Sequence, residues 1–285
     1  MKKARIFQLY YDEKSRSILD DGFIPLDNSK NPEQDWYEFS AIRNYLKNNA
    51  LQDDTYYGFL SPKFRNKTGL TSEMLRSEIM KAPDDTTAIL VSSKLRSLVA
   101  YWNVFVQGDA MHPGLLAAMQ EFSRVAGLEV DLAKKASHTH NAVYSNFVIA
   151  KPVYWNAWLK LADRLHALTM SDDPGLSHEL TQSAAYRKGQ AAMKVFVQER
   201  IPALILDSMN KVYVPESFYM FSNTKAPDRY LYRLSDFLKR KYEIEERAIY
   251  VIGFYMLIRP RFFVEEKLRE FARWSKRQAR IVRQA

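Results

Sequence analysis

Along the first ninety residues, short continuous apolar runs alternate with amphipathic stretches. Arg5 to Tyr11 (RIFQLYY) is rich in aromatic and branched residues and predicts a buried first strand. A polar stretch follows, with turn signals at Asp21-Gly22 and Asn31-Pro32. Between Asp35 and Asn48 the apolar residues Trp36, Phe39, Ile42 and Tyr45/Leu46 recur at helical spacing, predicting an amphipathic helix. Thr55 to Phe59 predicts a second strand and Thr71 to Lys81 a helix. Thr87 to Ser92 (TAILVS) is a short apolar run of the kind found in buried parallel strands. Strand, helix, strand, helix, strand is the pattern of a layered α/β domain.

Further along, Asn103 to Gly114 (NVFVQGDAMHPG) reads as loop-rich and Leu115 to Ala126 as a helix. Val143 to Ala150 predicts a strand. Pro152 to Leu168 predicts a helix with Pro at its start, where a missing N–H costs nothing. Ser177 to about Met209 reads as helical with breaks at Gly189 and Pro202, and Lys211 to Pro215 as a short strand. Phe237 to Ile258 is largely helical, and Arg259 to Arg283 a final basic helix. The expected division is an α/β domain over residues 1–210 and a helical extension over 211–285.

The 285 residues are 47% hydrophobic, enough for a sizeable core. There is no cysteine, which excludes a disulfide framework and a thiolate metal site. No run of about 18 apolar residues exists, and the first residues lack a signal-type apolar region, so a cytoplasmic protein is expected. The net charge is +9, but residues 259–285 hold nine Lys/Arg against three Glu. The basic character therefore belongs mainly to the C-terminal stretch.

Three segments carry candidate chemistry. In YGFLSPKFRNKTG (57–69), Lys63, Arg65 and Lys67 alternate between Gly58 and Gly69, just before a predicted helix start. Cations, the Ser61 and Thr68 hydroxyls and flexible backbone in that position suit a phosphate-bearing ligand. An extended loop would set the three cations on one side. The plain alternative is a solvated basic loop. The glycine spacing and Gly-Lys-Ser/Thr ending of a nucleotide-hydrolase loop are absent. In VQGDAMHPG (106–114), Asp109 or His112 is a candidate general base and Gln107 a polar contact. The alternative is that Asp109 caps a turn and His112 packs under the following helix. In SHTHNAVYSN (137–146), His138 and His140 offer polar contacts or two metal ligands, and Asn146 interrupts an apolar run where it needs a partner. Further on, Glu199-Arg200 sits among apolar neighbours, as an ion pair or with Glu199 as a second candidate base. Lipase, zinc-protease, kinase and dinucleotide-binding signatures are all missing.

In chain order, IFQLYYDE, FIPLDN (23–28), GFLSPKFRNKTG (58–69), NVFVQGDAMHPG (103–114) and YSNFVIAKPVYW (144–155) resemble bacterial glycosyltransferases of surface-polysaccharide synthesis. FVQERIPALIL (196–206) resembles a Glu-Arg element late in related capsule and O-antigen transferases. The resemblance implies a GT-A-like, Rossmann-type mixed sheet flanked by helices, and a mainly helical C-terminal region. It implies sugar transfer from a nucleotide-activated donor to a lipid-linked or oligosaccharide acceptor of a growing surface glycan, lipopolysaccharide or capsule. On that reading the donor contacts fall on Gly58, Ser61, Lys63, Arg65, Lys67 and Thr68. Acceptor contacts fall on Gln107, His138, His140 and Asn146. The Asp-x-Asp metal motif is missing, so no metal ligands are assigned. The loop cations then stabilise the departing diphosphate, with a divalent metal left open.

Val264, Leu268, Phe271, Trp274 and Ile281 trace an apolar stripe among cations in the final segment. Residues 262–283 are accordingly expected to lie on an anionic membrane surface, making the protein peripheral on the inner membrane. No nucleic-acid module accompanies the charge. The alternative function class is a non-catalytic basic adaptor binding membrane or nucleic acid through this helix.

Overall fold

The computed structural model describes residues 2–91, 95–171, 175–186, 189–209, 211–215 and 226–260. Eight strands are found among them: β1 (Lys3–Tyr10), β2 (Ile24–Asp27), β3 (Thr55–Leu60), β4 (Ala88–Leu90), β5 (Val148–Ala150), β6 (Ser183–Tyr186), β7 (Gly189–Ala192) and β8 (Val212–Tyr213). Six form one mixed sheet in the order β2-β1-β3-β5-β4-β8, and β6 and β7 pair separately as an antiparallel hairpin. Within the large sheet only β5 runs against its neighbours.

Side-chain alternation sorts the strands into two cores, one on each face. Phe7, Leu9, Tyr57, Phe59, Ala88, Leu90, Val148 and Ala150 belong to the larger cluster. Ile6, Tyr56, Leu60, Ile89 and Ile149 belong to the smaller. Both faces being covered, the strands read as near-continuous apolar runs rather than alternating ones. On the larger face lie α2 (Glu38–Asn48) and α8 (Pro152–Thr169). Phe59 meets Trp155 edge-on at 4.9 Å, and the Trp155 indole N–H donates to the Tyr57 carbonyl at 3.1 Å. On the smaller face α4 (Ser72–Lys81) buries Leu75 and Ile79.

Three expectations are corrected. Asn103–Gly114 is mostly helix, α6 (Val104–Met111), because the Asn103 side chain accepts the Val106 N–H at 2.7 Å and caps it. The presumed helix from Ser177 is broken by the β6–β7 hairpin, where strand pairing overrides the helix propensity of an alanine-rich stretch. Asn146 precedes β5 rather than lying within a strand. The sheet also crosses the boundary expected at 210, since β8 pairs with β4. Leu231, Tyr232, Leu238, Phe254 and Ile258 join the larger core from beyond it. The basic helix expected over Arg259–Arg283 lies, from 261 on, outside the described residues. Among the described residues no helix is long and apolar enough to cross a membrane.

Candidate active site

The order of the strands marks one edge of the sheet as the expected ligand position. From β1 the chain moves to β2 on one side and then to β3 on the other. Connections diverging in this way leave a cleft outside the carboxyl ends of the two strands, the usual ligand position in open α/β sheets. Four stretches converge on this edge: Tyr11 after β1, Asn28–Tyr37 after β2, Ser61–Lys63 after β3, and Asn146 leading into β5.

Ser61 follows β3 and Asn146 leads into β5, and the paired stretch of these two strands ends towards them at Gly58 and Ile149, so both residues lie at this edge. Ser61 Oγ and Asn146 Oδ1 are buried and have no hydrogen-bond partner among the described residues. A buried polar atom left unsatisfied costs about 1–3 kcal/mol, so each oxygen calls for a partner, an ordered water or a polar group of a ligand. Gln8 ties β1 to this exit: its side-chain amide N–H groups reach the Ser61 and Pro62 carbonyls at 3.4 Å, and its oxygen accepts the Asp20 N–H at 2.9 Å.

The stretch after Ser61 is not an extended loop. Phe64–Thr68 forms a short helix, α3, closed by Gly69 at φ 77°, a backbone conformation that favours glycine. Helical winding points Lys63, Arg65 and Lys67 in different directions, which corrects the one-sided row expected from their alternation. All three are exposed, and Lys67 Nζ lies 5.3 Å from the Phe147 ring centroid. Gly58 is a core residue inside β3, where an added Cβ would come within 2.3 Å of Ile149 Cδ1. The Thr68 hydroxyl donates to the Phe64 carbonyl at 2.9 Å and accepts the Leu70 N–H at 3.1 Å. Gly58 and Thr68 thus hold the fold.

The start of α4, the expected phosphate position, is already filled. The Asp20 carboxylate accepts the Ser72 N–H at 2.9 Å and the Ser72 hydroxyl at 2.5 Å, and Thr71 caps the Met74 N–H. A carboxylate is well placed at a helix N-terminus. Burial pushes the Asp20 carboxyl up. Hydrogen bonds from Ser72 and Gly22, together with the charge of Arg65, outweigh that and hold it below the usual carboxylate range.

After β2, Tyr37 adopts φ 51°, ψ −124°, strained for a non-glycine residue. Its carbonyl accepts the Asn28 and Asn31 side-chain amides at 3.1 and 3.4 Å, while the residue stays 46% exposed. Next to it Trp36 is buried under Lys194, whose Nζ sits 4.5 Å from the indole centroid and pairs with Asp35. Gln198 donates to the Trp36 carbonyl at 3.4 Å. Lys194 and Gln198 lie on α10 (Met193–Gln198), so these contacts bring the Glu-Arg element to the same edge. Burial pushes the Tyr11 phenol up, aided by the Glu38 carboxylate.

Arg200 is buried. Its Nη1 donates to the Phe196 carbonyl at 3.2 Å and to Glu199 Oε2 at 2.8 Å, and Nη2 donates to Gln107 Oε1 at 3.3 Å. Its Nε has no partner among the described residues. Gly108 lets it in, because a Cβ there would lie 3.1 Å from Nε. The Glu199 side chain is 37% exposed.

Asp109 takes the capping role. One oxygen accepts the Gly114 and Leu116 N–H groups at 3.0 and 3.1 Å, at the start of α7 (Leu115–Val125). It also lines an open groove of about 650 Å³ with Leu116, Ala117, Gln120, Val130, Asp131 and Ala133. His112 stacks on Phe196.

His138 and His140 lie elsewhere, in a polar cluster clamping a long helix, α12 (Ala226–Glu245). The His140 N–H donates to His138 Nδ1 at 3.1 Å, so His138 carries its proton on Nε2 and donates it to Glu243 at 2.5 Å. Arg240 Nη2 donates to His140 Nδ1 and, at 2.7 Å, to the Thr139 hydroxyl. Asp236 accepts the Thr139 N–H at 2.7 Å, and Asn141 reaches Asp207. Burial and then the Arg240 charge lower His140 to about 4. Burial raises the Glu243 carboxyl, but its His138 hydrogen bond prevails and the net direction is down. These histidines are committed to each other's frame rather than to the edge. No group of three or more His, Asp or Glu able to hold a metal occurs among the described residues.

The structure thus gathers Ser61, Lys63 and Asn146 at one edge and brings Glu199 towards it through Gln198 and Trp36. Sequence reasoning missed Tyr37, Lys194 and Gln198 there. Gln198 stood visible beside Glu199, whereas Tyr37 carries no local signal for its backbone strain. No protein-family model matches the chain, and no curated protein or solved structure matches it either.

Proposed function

We propose that the chain is a GT-A-like glycosyltransferase that moves a sugar from a nucleotide-activated donor to a growing surface glycan. One observation carries the reading most: two unpartnered buried oxygens, on Ser61 and Asn146, at the carboxyl edge of parallel strands and beside exposed Lys63. In this reading Ser61 and Asn146 meet polar groups of the donor, and Lys63 neutralises its diphosphate. Positive charge aimed at a departing diphosphate stabilises the transition state without a proton transfer. Tyr37 offers its exposed ring to the base. Glu199 is preferred over Asp109 as the group that deprotonates the acceptor hydroxyl. Each carboxylate has one oxygen engaged, but Glu199 adjoins Gln198, which reaches the Trp36 carbonyl at the edge, whereas Asp109 is held at the start of α7.

Turnover tests this through release of nucleoside diphosphate from a panel of nucleotide sugars, with and without divalent metal. One donor is expected to turn over. Glu199→Gln is then expected to lower kcat by roughly 100-fold or more while leaving donor KM within about twofold, as for loss of a general base. Undiminished turnover in Glu199→Gln removes that residue as base, and release from no donor removes the reading.

A further inference from the structure

Shortly before residue 260 the chain forms an uncharged helical run. Ala248 to Ile258 (AIYVIGFYMLI) holds no Asp, Glu, Lys or Arg in 11 residues. It forms α13 (Ala248–Gly253) and a π-helical turn over Phe254–Ile258. One side packs inward: Phe254 and Ile258 are fully buried, with Phe254 edge-on to Trp102 at 5.3 Å. The other side faces out. Ile249 and Met256 are 61% and 71% exposed, and Ile252 and Leu257 are exposed too. Positions 249, 252 and 256 share one helical face. On α12, Tyr230, Phe237 and Ile244 recur every seven residues and are likewise exposed.

An outward stripe of large apolar side chains marks an interaction surface. Its length and flanks select the partner. At about 16 Å the run is roughly half the thickness of a hydrocarbon core, so it can lie on a bilayer but not cross it. Glu245, Glu246 and Arg247 precede it, and nine Lys/Arg against three Glu follow between 259 and 285. An apolar stripe followed by an excess of cations complements anionic headgroups over an apolar interior.

We propose that residues 249–257 form an interfacial anchor seated on an anionic bilayer surface. This stands apart from the sugar-transfer reading. Because the chain has no cysteine, Met256→Cys accepts a single environment-sensitive dye. Vesicles of phosphatidylcholine with phosphatidylglycerol are expected to blue-shift and brighten that dye, and phosphatidylcholine alone much less. Ile249→Glu/Ile252→Glu, with the basic segment intact, is expected to lower affinity for the anionic vesicles at least roughly tenfold at an unchanged unfolding midpoint. Should that variant fail to fold, Ile249→Ser/Ile252→Ser replaces it with the same expectation. No change in the dye, or full vesicle affinity in the folded double variant, overturns the proposal. So does concentration-dependent dimerisation that the double variant abolishes while wild type ignores vesicles.

Discussion

Tyr37 keeps a backbone conformation that glycine would adopt more readily, held by the amides of Asn28 and Asn31. Such strain costs about 1–3 kcal/mol and persists only where the surroundings enforce it. At the carboxyl edge of the sheet, strain and an exposed ring coincide. Tyr37→Gly is therefore expected to raise unfolding free energy by about 1 kcal/mol while weakening nucleotide binding. Urea unfolding and calorimetric titration measure the two effects, and a variant that is both less stable and unimpaired in binding would contradict the account. Ser61 and Asn146 pose the complementary case, where the unmet requirement is a hydrogen bond rather than a dihedral angle.

At the scale of elements, the polar clamp on α12 is acid-sensitive. Folded His140 takes its proton only near pH 4, whereas the unfolded chain takes it near the ordinary 6.5. Between those values the unfolded state binds more protons, so stability falls as pH drops from about 6.5 towards 4. Glu243, held below its ordinary value, adds to the loss at still lower pH. Going from pH 7.5 to 5 is expected to lower unfolding free energy by roughly 1 kcal/mol from His140, allowing for solvent screening, and His140→Asn is expected to flatten that slope. An unaltered pH profile in the variant would show that the clamp does not titrate. Most elements around this clamp and the sheet were legible as local periodicity: β1, β3, α2, α4, α7 and α8 all fall where apolar spacing puts them. The helix α6 was not, because Gly108 and Pro113 read as loop punctuation, while the side chain of its cap, Asn103, is held in place by carbonyls some 30 residues away. The same distance hides Asp20 at the start of α4, 52 residues from Ser72, and with it the reason no phosphate is needed there.

Across the whole molecule, the described residues on both sides of 210 share one sheet and one main core. Buried Lys239 on α12 donates to the carbonyls of Leu98 and Tyr101, fastening that helix beneath the middle of the chain. A chain ending at 210 is expected to lose cooperative unfolding, since β4 loses its β8 neighbour and the larger core loses Leu231, Tyr232 and Phe254. A sharp, reversible melt of that truncation would instead favour two independent domains. The central claim is that this single body holds a donor diphosphate at the carboxyl edge of its sheet through Ser61 and Lys63. Thermal unfolding of wild type and of Ser61→Ala/Lys63→Ala, with a panel of nucleoside diphosphates at saturating concentration, tests it most directly. The account predicts that at least one nucleotide raises the wild-type Tm by roughly 4 °C or more and that the double variant loses most of that shift. No shift with any nucleotide, with or without divalent metal, or an equal shift in the double variant, would contradict it.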